Sequence, residues 1–104
     1  MRLFRRRFAD VVDRQLALFG GEHAGLLRDC DAAERAYKQA PREEAEERFG
    51  DYMDLVETGT DLLAGLRDAY ASTLDEDAAE EYEAAFNRGV AKQLPRFALE
   101  IESS

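Results

Sequence analysis

The sequence predicts an all-α fold, an elongated antiparallel three-helix bundle with helices over about 3–39, 41–72 and 75–101. Three observations carry that expectation. Apolar residues recur at intervals of three or four through nearly the whole chain, the period of one helix face. Prolines stand only at 41 and 95, so little else blocks long helices. The two interruptions of the pattern, near residues 40 and 74, carry the chemistry of helix ends.

In the first segment the stripe is Phe4, Phe8, Val12, Leu16, Phe19, His23, Leu26/Leu27, Cys30, Ala33 and Tyr37. It keeps phase across Gly20-Gly21, which argues for a continuous helix. Each helix-interior glycine costs about 1 kcal/mol relative to alanine, and Gly20, Gly21 and Gly25 fall within six residues. A kink or break at Gly20-Gly21, giving four helices, is therefore the competing architecture. Pro41 pushes Ala40 out of the helical region and ends the segment.

The second segment opens with Pro41 in a first-turn position, and Glu43 and Glu44 suit the positive end of the helix dipole. Ala45, Phe49, Tyr52/Met53, Val56, Thr60, Leu63, Leu66 and Tyr70 form its stripe, widened by Leu55 and Leu62. A stripe that wide suits a central helix with two neighbours. Thr73-Leu-Asp-Glu76 matches a capping box at the start of the third segment, with Asp75 as the competing cap. Ala79, Tyr82, Phe86, Val90, Leu94 (or Gln93), Phe97 and Ile101 continue its apolar face, and Pro95 should kink or end the helix.

The three segments would be about 55, 48 and 39 Å long, workable lengths for an up-down-up bundle in one domain over 1–104. That topology sets His23 level with Gly59, and Gly59 level with Gly89 or Val90. The shared layer of His23, Gly59, Thr60 and Gly89 reads first as close helix packing, with His23 bonded to Thr60. Its alternative is a small ligand- or metal-binding pocket with His23 and Thr60 as the polar groups. Opposite the apolar stripe, Ala17, Gly21, Ala24 and Gly25 put small residues where a free surface would favour better helix formers. A self-associating interface explains that patch, most simply a homodimer, or contact with another helical protein.

Charge excludes several classes of function. The net charge is −9, which argues against general nucleic-acid binding, since phosphate neutralisation needs clustered Lys and Arg. Residues 1–7 hold Arg2, Arg5, Arg6 and Arg7 with no acid, whereas the rest holds 10 basic and 23 acidic side chains. In the up-down-up topology these arginines meet Asp75, Glu76, Asp77, Glu80 and Glu81 at the start of the third helix. An amphipathic terminus resting on an anionic membrane surface is the lesser reading.

Arg5-Arg6-Arg7-Phe8 begins like a twin-arginine export signal, but Asp10, Asp13 and Arg14 fall where the apolar region should be. A lone cysteine, Cys30, allows no intrachain disulfide, and a cytoplasmic location is the expectation. No catalytic signature, cofactor motif or metal-ligand spacing is present. The only histidine has Gly20 three positions before it, so the Glu-x-x-His pattern of di-iron bundles is absent. Cys30 and His23 lie about 10 Å apart along one helix, too far for a nucleophile–base pair. The chain reads as a non-enzymatic interaction or scaffold module.

Overall fold

A computed structural model describes residues 7–104, and those residues fold into an all-helical, elongated body of 51 × 24 × 23 Å. The helices are α1 (Ala9–Glu22), α2 (Ala24–Gln39), α3 (Arg42–Ala71), α4 (Glu76–Gln93) and α5 (Ala98–Glu102), with a 3₁₀ turn over Pro95–Phe97 between the last two. Among the described residues the expected three helices are thus five, because the first and third segments each divide.

The first segment divides at His23, not at Gly20-Gly21. His23 has φ −116° and ψ 30°, outside the helical region, while none of the glycines takes a positive φ. Hydrogen bonding continues through the joint, from the His23 amide to the Phe19 carbonyl at 2.9 Å and from Leu27 to His23 at 3.1 Å. The result is a bent rod. Its lower half, α1, packs along α4, and its upper half, α2, packs along the first half of α3. The bend lets one stripe serve two neighbours.

The third segment ends its α-helix at Gln93. Pro95 cannot donate a backbone hydrogen bond, and Leu94 swings to φ −135° before the 3₁₀ turn begins. At the other end of α4, Asp75 is the N-cap, accepting from the Ala78 amide at 2.9 Å. Thr73, the capping-box candidate, instead donates back to the Tyr70 carbonyl at 2.7 Å. Pro41 stands as the N-cap of α3, and Ala40 is extended, as the sequence requires.

Early termination of α4 divides the molecule into a body and an arm. In the body, Val12, Leu16 and Phe19 of α1, Leu63 of α3, Tyr82, Phe86 and Val90 of α4, and Phe97 and Ile101 beyond it are buried. In the arm, nothing between Asp31 and Leu55 is fully buried. There α2 and α3 form a two-helix hairpin held by a narrow seam in which Tyr37 and Phe49 stack with centroids 5.0 Å apart. Arg96 ties the base of the arm to the body. It donates to Asp31 and Glu34 of α2, both at 2.9 Å, and to the Tyr52 hydroxyl of α3 at 3.1 Å.

Candidate functional site: the glycine-rich waist

The predicted mid-layer resolves into two separate contacts. At Gly59 the space a Cβ would fill is taken by the ring of Phe97, whose Cζ lies 2.8 Å from that position. At Gly89 the neighbours are instead Val12 Cγ1, at 2.7 Å, and Leu16 Cδ1, at 3.1 Å, both from α1. Gly59 therefore seats the turn that follows Pro95, and Gly89 lets α1 approach α4. Both spaces are occupied by core side chains, which leaves no room for a ligand between these glycines. The reason the layer divides is the 3₁₀ turn, which folds Phe97 back across α3.

The expected His23–Thr60 hydrogen bond is not formed. Thr60, 3% exposed, donates to the Val56 carbonyl one turn back at 2.8 Å, a local bond that satisfies a buried hydroxyl. His23 is half-buried at the elbow and stacks on Phe19, with ring centroids 4.7 Å apart. Among the described residues, no group of three or more His, Cys, Asp or Glu side chains converges on a point that could hold a metal. Cys30 is fully buried, and that burial raises its thiol pKa while nearby Arg96 pulls it the other way.

Two arginines, neither marked out by any motif in the sequence, carry the waist's polar structure. Arg67 of α3 is only 5% exposed and donates to Asp68 Oδ1, Asn87 Oδ1, the Ile101 carbonyl and the Ser104 carbonyl at 2.9–3.1 Å. Its guanidinium caps the carbonyl end of α5 and joins α3, α4 and α5. Its position was legible in principle, since it follows Val56, Thr60 and Leu63 at stripe spacing. Arg96 is the second. Burial works against its charge, but bonds to Tyr52, Asp31 and Glu34 raise its pKa above the ordinary guanidinium value.

The small-residue patch lies outside the core. Ala17, Gly21 and Gly25 are exposed, and Ala24 is half-buried at the start of α2. A Cβ on Gly20 or Gly21 would meet nothing within 4 Å, and one on Gly25 would meet only the end of Arg28. Leu18 is 65% exposed beside them. A helix turns about 100° per residue, which within α1 places Leu18 within about 60° of Gly21 on the side away from the core.

Below the patch, α1 and α4 enclose a shallow groove. Its α1 bank carries Asp10 and Asp13, its α4 bank carries Arg88 and Lys92, and Ala85 and Gly89 lie on its floor. Arg2, Arg5 and Arg6 lie outside the described residues. Arg7 approaches Glu81 of α4 at 3.7 Å, on the side where the basic terminus was expected to meet acids. No helix among the described residues is long and apolar enough to cross a membrane. Comparison with protein-family models, curated proteins and solved structures finds no match to this chain.

Proposed function

We propose that this chain is a protein-interaction module, not an enzyme, and that it associates with a second copy of itself through the outer face of the α1–α2 elbow. The observation that carries this reading is the state of the glycines. Gly20 and Gly21 are helical, neither takes a positive φ, and among the described residues no neighbour would obstruct a side chain on them. Each still costs about 1 kcal/mol of helix stability relative to alanine. Neither backbone conformation nor internal packing accounts for that cost, whereas close approach by another helix does. Ala17, Gly21, Ala24 and Gly25 would form the contact, with Leu18 as its apolar anchor.

Sedimentation over a concentration series tests the proposal. The wild-type chain should pass from monomer to dimer between the low and high micromolar range. Leu18→Glu should keep it monomeric while leaving its unfolding midpoint nearly unchanged, as expected for an exposed position. A wild-type chain that stays monomeric up to millimolar concentration would overturn the reading.

A further inference from the structure

The α1–α4 groove has a property the small-residue patch alone lacks: its two banks carry opposite charge along the same stretch. Contacts within the chain show this. Gly89 lies against both Val12 and Leu16, and the Gln93 side-chain amide donates to Asp13 Oδ1 at 2.9 Å. Asp10 and Asp13 therefore run beside the turns of α4 that carry Arg88 and Lys92. Asp10, Asp13, Arg88 and Lys92 are all exposed. Among the described residues, none of the four enters an ion pair. Between the banks the groove is lined by Ala85 and Gly89.

From this we infer that the second copy sits face to face on the groove, related by a two-fold axis running parallel to α1 and α4. Such an axis stacks α1 of each copy on α4 of the other, with both helices pointing the same way. Because a rotation about the helix direction preserves height, Asp10 and Asp13 of one copy meet Arg88 and Lys92 of its partner, and the reverse contact follows by symmetry. An antiparallel arrangement of α1 on α1 would oppose acids to acids and leave the basic bank unused. Charge complementarity thus selects both the occupant and the orientation. Within α1, Asp10, Asp13, Ala17 and Gly20 recur at intervals of three and four, so the groove side of the helix runs on towards the small residues near the elbow.

The inference rests on the self-association proposed above and adds its register. Charge reversal tests that register. In the full chain, Asp10→Lys with Asp13→Lys should weaken the homodimer at least tenfold by sedimentation, as should Arg88→Glu with Lys92→Glu. Mixing the two variants should restore a heterodimer of near wild-type affinity, because two basic banks then meet two acidic ones. Raising salt should weaken the wild-type dimer and the heterodimer alike. All four positions are exposed, so circular dichroism should show both variants folded. If the wild type dimerises and neither reversal changes its affinity, the groove register is wrong while self-association stands. A heterodimer no tighter than either altered homodimer also overturns the register. A monomeric wild type overturns both readings.

Discussion

Replacing Gly59 with alanine tests whether the waist is packed as closely as its geometry requires. A Cβ at this position falls 2.8 Å from Phe97 Cζ and still closer to Cε1, against about 3.5–4.0 Å for comfortable carbon contact. The ring must therefore retreat by roughly 1 Å. It has nowhere easy to go, since Phe97 is 1% exposed and sits in the 3₁₀ turn pinned by Pro95. Overpacking of this kind costs about 1–3 kcal/mol, and the gain in helix propensity returns about 1 kcal/mol. The net expectation is a loss of up to about 2 kcal/mol. For a domain of this size that lowers the thermal midpoint by up to roughly 15 °C. Thermal and urea unfolding followed by circular dichroism, at a concentration where the chain is monomeric, would measure it.

A double-mutant cycle separates the clash from other effects. Phe97→Leu should destabilise the wild type through the lost ring. In the Gly59→Ala background the same change should cost about 1 kcal/mol less, because the smaller side chain makes room. A Gly59→Ala chain more stable than wild type would refute the close packing, as would additivity of the two changes.

Three further outcomes follow from other parts of the structure. Gly21→Ala meets no obstruction and should stabilise the monomer by up to about 1 kcal/mol in urea unfolding, while the added methyl weakens the dimer in sedimentation. Arg67→Met keeps the volume but orphans the Ile101 and Ser104 carbonyls. It should cost about 1–3 kcal/mol and accelerate amide exchange in α5 before the rest of the chain. Tyr82 sets the alkaline limit, because burial pushes its phenol up to about 12 from an ordinary value near 10. The unfolded chain then loses this proton at lower pH than the folded one. The stability contributed is complete below about pH 10 and drains away as pH rises from about 10 towards 12, by about 1.4 kcal/mol per unit. Absorbance titration in the near ultraviolet should show one tyrosine ionising late, together with unfolding, and Tyr82→Phe should remove that contribution.

Much of the fold is legible in the chain because the physics involved is local. The spacing of apolar residues forms the helices, Pro41 starts α3 at Arg42, and Pro95 stops α4 at Gln93. The candidate site was legible only as a set of small residues. Which side chain fills each glycine depends on chain segments distant in sequence, so one expected layer became two contacts, Phe97 on Gly59 and α1 on Gly89. The His23–Thr60 bond failed for a related reason. A buried hydroxyl four residues from a helical carbonyl satisfies itself without a tertiary partner.

What the sequence determined by itself is the helical class, the positions of its long segments and the outward-facing small residues of α1. Periodicity, proline and capping act over a few residues and need no knowledge of neighbours. Tertiary structure decided that the first rod divides at His23 and not at Gly20-Gly21, that Arg67 and Arg96 act as ties between helices, and that acidic and basic banks line one groove between α1 and α4. The glycines made a break near this point one of two architectures the sequence allowed. Which one forms goes with the packing of α1 along α4 and of α2 along α3, contacts between helices distant in sequence that no local pattern specifies.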